Sequence, residues 1–134
     1  MIRLFVPLVA AISTAACASI PLPGSPRALA GSFGGNHVAL ELTLLGGTLS
    51  YDCAAGTIGP IVPDRAGHFA ANGLHMPGHG GPIRVDEVPL RKAAHYSGTV
   101  SGDRITLAGV LDDGTRLGPL SMIRGAQPNI FRCT

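Results

Sequence analysis

The chain has no tryptophan, and aromatic residues make up only 4% of it. Charged residues are sparse as well, at 13%, and every cation but Lys92 is arginine. No basic run occurs, and there are few rings to interleave with one, so nucleic-acid binding has no footing. No segment carries a sustained 3.6-residue apolar period, which argues against helices. Familiar catalytic spacings are missing too: there is no G-x-S-x-G elbow, no H-E-x-x-H, no G-x-x-x-x-G-K-[ST] and no calcium-loop spacing. An enzymatic role therefore has no motif behind it. Large apolar side chains are also scarce, with four Phe and two Tyr among many Ala and Leu. A small domain with so thin a core benefits from a covalent staple.

What is present begins with an export pattern. MIRLFVPLVAAISTAAC carries one charge at Arg3, an apolar run from Leu4 to Ile12 and then small residues. The run is too short for a stable membrane-spanning helix, and the order of features is that of a secretory signal. Two cleavage readings stay open. Ala16-Cys17-Ala18 fits the small-x-small rule, whereas Thr14-Ala15-Ala16-Cys17 is similar to a bacterial lipobox, in which Cys17 is lipidated. Residues 1–18 are thus expected to be a signal peptide. Residues 19–30, rich in proline, read as a flexible tether, and 31–134 as one β domain.

Either reading removes Cys17 from the free thiols, leaving Cys53 and Cys133 as an even pair in an exported domain. A disulfide between them is then the expectation. In the chain-entropy account, closing a loop of about 80 residues contributes on the order of 4 kcal/mol.

From residue 31 onward the apolar period is two. Val38, Leu40, Leu42 and Leu44 alternate with small or polar residues, Gly46-Gly47 turns the chain, and Leu49, Tyr51 and Cys53 alternate again. This is the pattern of a hairpin with one buried face, and it points Cys53 inward. The same grammar returns around the Ser101-Gly102-Asp103 and Asp112-Asp113-Gly114 turns. The inward candidates there are Tyr96, Val100, Ile105, Leu107, Leu111, Leu117, Leu120 and Met122. Pro119 marks a bulge or an edge. One strand is expected near Ile83–Val88, and a short last one, Ile130–Cys133, docked on the sheet. The fold class is all-β, a small antiparallel barrel or sandwich of seven or eight short strands with one disulfide.

The run Tyr51-Asp52-Cys53-Ala54-Ala55-Gly56-Thr57-Ile58, with Gly67-His68-Phe69, His79-Gly80-Gly81-Pro82, Tyr96-Ser97-Gly98 and Phe131-Arg132-Cys133, is similar to a group of small, uncharacterised exported bacterial proteins. That resemblance implies an exported domain with both cysteines as fixed features, and it implies no activity. A second resemblance is to the lipocalin-type barrels, through Gly31-Ser32-Phe33 ahead of the first strand and an arginine near the C-terminus. Those barrels carry Trp where Phe33 stands, and they enclose apolar ligands.

GLHMPGHGGP (73–82) holds two histidines. Pro77, Gly78, Gly80, Gly81 and Pro82 exclude a helix, so His75 and His79 are expected on a loop. With the thioether of Met76 they are the candidate ligands for Zn or Cu, and His37, His68 and His95 are the source of further ligands. The competing reading is a Gly/Pro-rich turn whose imidazoles bond to backbone or face solvent; no other cofactor is indicated. Glu41 and Asp52 can be posed as a catalytic pair, but exposed strand carboxylates are the simpler account. The expectation is an exported cell-envelope domain, in the periplasm or anchored to the outer membrane through Cys17. It binds a protein or small-molecule partner, and the membrane only through its lipid.

Overall fold

The computed structural model describes residues 27–78, 84–86, 88 and 90–133. Within them run eight strands: β1 (Gly31–Gly35), β2 (Val38–Thr43), β3 (Gly46–Tyr51), β4 (Ala54–Ile58), β5 (His68–Pro77), β6 (Lys92–Ser101), β7 (Arg104–Leu111) and β8 (Arg116–Arg124). Each pairs antiparallel with the next, and β8 returns to β1 through Phe33↔Arg124 and Gly34↔Ile123, closing a barrel. The all-β expectation and the upper strand count are both met. Closure leaves no strand edge open to pair with another chain.

The alternation read from the sequence is what fills the barrel. Val38, Leu40 and Leu42 of β2 point inward with Leu49, Ile58, Phe69, Ile105, Leu107 and Met122 in a single buried cluster. An eight-stranded barrel is just wide enough for side chains to fill. Each such aliphatic residue contributes about 1.5–3 kcal/mol by leaving water. Tyr96 is the largest buried side chain, and Gly109 on the neighbouring strand makes room for it. A Cβ at Gly109 would lie 2.8 Å from the Tyr96 ring.

The meander gives the barrel two distinct ends. The lower end carries the entry to β1, the Leu44–Leu45 turn, the segment 59–67, the Gly102–Asp103 turn and the exit of β8. The upper end carries the turns at 36–37, 52–53 and 112–115 and the connection from β5 to β6. Residues ahead of 31 join the domain. Leu29 donates its N–H to the Ile61 carbonyl at 2.7 Å and packs on the core, so the end of the expected tether is part of the domain.

Several expectations are corrected. Leu44 lies in the turn after β2 and is exposed, because Thr43↔Gly46 is the last pair of that hairpin. Among residues 84–86 and 88 there is no strand, and Ile83 lies outside the described residues. Ile130–Cys133 is not a strand either. Once β8 pairs with β1 no edge is left, and Pro128 has no N–H for a ladder. The C-terminal segment instead runs over the outer face of β1, close against Gly34, where a Cβ would meet the Ala126 carbonyl at 2.1 Å. It is held by Asn129 N–H to Gly35 O (3.1 Å) and His37 N–H to Asn129 O (2.7 Å).

The disulfide joins Cys53 to Cys133, as expected. Cys53 does not point into the core, however. It sits in the turn between β3 and β4 with φ +57°, at the upper rim. The disturbance anticipated at Pro119 is found as a register shift between β7 and β8, between Leu107 and Gly109, and leaves Leu117 and Leu120 only partly buried.

Candidate functional site

His75 lies on β5, not on a loop, opposite Gly56 of β4 and Lys92 of β6. Pro77 ends the strand two residues later, so the ladder survives the proline-rich sequence. Parity places His75 on the same face as Phe69, Ala71 and Gly73, the inner one, and it is only 8% exposed. Its ring lies 5.6 Å from that of Tyr51, and its Nδ1 is buried without a hydrogen-bond partner. Burial and the nearby Lys92 ammonium push its pKa below the ordinary 6.5, so the imidazole is neutral near pH 7.

Beside it, the Tyr51 hydroxyl donates to the Tyr96 hydroxyl at 3.3 Å. Burial, together with that bond, raises Tyr51 far above the ordinary phenol value, and burial raises Tyr96 as well. Both phenols therefore stay protonated. The upper part of the barrel interior holds a neutral polar group of two phenols and one imidazole in an otherwise apolar core. Sequence alternation shows Tyr51 and Tyr96 facing inward but does not show that β3, β5 and β6 bring Tyr51, Tyr96 and His75 together.

Met76, next along β5, projects from the opposite face to His75, so the two do not converge. His79 lies outside the described residues. His68 is exposed at the start of β5, on the opposite face from His75. His95 is outward on β6, with Nδ1 2.8 Å from Asn72 Oδ1. His37 is in the upper turn between β1 and β2 with φ +68°. Among the described residues no three of His, Cys, Asp and Glu come together as a metal-holding group.

The carboxylates Glu41 and Asp52 are likewise separate. Glu41 accepts from the Ser32 hydroxyl, whereas Asp52 meets His37 Nδ1 through one oxygen and accepts the Phe131 N–H at 2.7 Å through the other. Asp52 thus ties the upper turns to the C-terminal segment. The His37 ring completes the tie by lying 5.6 Å from the Phe131 ring.

Between this segment and the outer face of β2 and β3 lies a groove of about 480 Å³. Ala39, Ala54, Ile130 and Phe131 supply its apolar wall, Ser50 a hydroxyl and Arg132 a cation, and the Cys53–Cys133 bridge closes one side. Tyr51 lines it as well, so one residue borders both the groove and the interior polar group. The Cys53–Cys133 pairing was the only signal in the sequence for this groove, and it gave the tie but not the space beneath it.

No family model, curated protein or solved structure matches the chain.

Proposed function

We propose that the protein is an exported, lipid-anchored barrel that acts by binding, and that its ligand is a small apolar molecule with an anionic end seated in the groove beneath the C-terminal segment. The groove is the observation that carries this reading. Its volume of about 480 Å³ falls in the range of small-molecule sites, roughly 300–1,000 Å³. Its wall mixes polar and apolar surface, with Arg132 as the cation and Phe131, 60% exposed, as an aromatic with unused surface. The barrel interior is occupied by its own side chains, so a ligand is seated outside it. Export is supported by the signal-like start and by the bridge, which persists in oxidising compartments.

The probe is anilinonaphthalene sulfonate, an apolar anion whose fluorescence rises on leaving water. A saturable, one-to-one rise that is lost in Phe131→Asp and weakened in Arg132→Glu is expected. No saturable rise, or a rise indifferent to both changes, would refute the groove as the site.

A second reading, a metal site completed around His75, draws on its unpartnered Nδ1. It requires Zn or Cu binding tighter than about 100 μM, a free energy beyond roughly −5.5 kcal/mol, that disappears in His75→Ala. Calorimetric titration without that signal removes it.

A further inference from the structure

The lower end of the barrel has a tip that hairpin chemistry does not call for. Two-residue turns favour Gly, Asn and Asp, yet the turn from β2 to β3 presents Leu44 and Leu45, 64% and 89% exposed. The tip is held in place. Thr43 Oγ1 accepts the Leu45 N–H at 3.2 Å and donates to the Gly46 carbonyl at 2.8 Å. Val62, on the segment that follows the neighbouring strand β4, adds a third exposed aliphatic side chain at this end.

Arginines outnumber acids at this end. Arg27, Arg65, Arg104 and Arg124 gather there against Asp64 and Asp103, and Arg124 is ion-paired with Asp103 at 3.4 Å. The upper end and the β5–β6 connection mix both signs, with Arg84, Arg91, Lys92, Arg116 and Arg132 alongside Asp52, Asp86, Asp112 and Asp113. The chain also enters the barrel from below. Leu29 is bonded to Ile61, and the Ala30 carbonyl accepts from Arg124 at 2.8 Å. Upstream of this entry stand Cys17 and the apolar run, and the residues from Cys17 to Arg27 can span no more than about 35 Å.

We infer that the lower end is a membrane-contacting face. Leu44, Leu45 and Val62 enter the interfacial layer of a bilayer containing anionic phospholipid, and the surrounding arginines meet its headgroups. The inference rests on the anchoring reading above, because a lipid on Cys17 holds this end within reach of the bilayer. It adds that the domain does not tumble freely on its tether. The barrel stands with its groove turned away from the membrane.

The missing tryptophan makes a direct test available, since Leu45→Trp creates a single tryptophan in the full-length chain, which can be excited apart from the two tyrosines. The chain is purified from membranes and reconstituted in phosphatidylethanolamine–phosphatidylglycerol vesicles with brominated acyl chains. Emission from Leu45→Trp should be blue-shifted and quenched by about twofold or more, as for a residue in the acyl boundary. Phe131→Trp, at the opposite end, should not be quenched. If the chain stays on the vesicles while the two variants are quenched alike, the proposed orientation is overturned and the anchoring survives. A chain that leaves the vesicles overturns both.

Discussion

At Gly109 the lack of a side chain lets Tyr96 lie within the barrel, and a methyl group there would sit 2.8 Å from the ring. Gly109→Ala should cost about 1–3 kcal/mol through overpacking, seen as a lower urea midpoint with an unchanged slope. His75 gives a pH signature. Its folded pKa lies below the ordinary 6.5, so the unfolded chain takes up a proton that the folded chain refuses. Stability should be full above about pH 6.5 and fall as the pH drops below it. Urea denaturation at pH 7.5 and 5 should show a larger loss for the native chain than for His75→Gln, and equal losses would contradict the placement. Inward-facing residues such as Tyr51, Tyr96 and Leu107 were legible from strict alternation. The burial of His75 was not, because the prolines and glycines around it read as a loop. Only the pairing of β5 with β4 and β6 puts that stretch in a ladder.

Among the elements, the C-terminal segment departs furthest from its local pattern. Ile130–Cys133 reads as a strand, and nothing in those residues shows that β8 has already taken the only free edge. The segment is instead held by the bridge, by Asp52 and by Asn129 against Gly35 and His37. The bridge encloses a separation of 80 residues, so its loss through Cys133→Ser should cost on the order of 4 kcal/mol in the chain-entropy account. Asp52→Asn, which keeps an acceptor for Phe131 N–H, should cost less than Asp52→Ala, which leaves that N–H without a side-chain partner. Thermal unfolding of the three variants gives the ranking. Equal stability of the Asn and Ala variants would remove the Phe131 N–H bond from the tie. The turns were easier to read, because Ser101-Gly102-Asp103 and Asp112-Asp113-Gly114 carry residues that tolerate left-handed backbone.

For the molecule as a whole, period-two alternation and short turns made an all-β barrel or sandwich legible, and closure of β8 on β1 decides for the barrel. They could not show its two unlike ends, because that difference arises only when distant turns are collected by the meander. Leu44, Leu45 and the lower arginines come together in this way, as do Cys53, Phe131 and Arg132 at the groove. A domain anchored by one end and binding at the other is the arrangement we propose. The most direct measurement is the intact mass of the full-length chain, expressed with its own signal and recovered from the cell envelope. The prediction is a chain beginning at acylated Cys17 and lighter by two hydrogens for the Cys53–Cys133 bridge. A soluble chain that retains Met1, with no acyl mass and both thiols free, would contradict it.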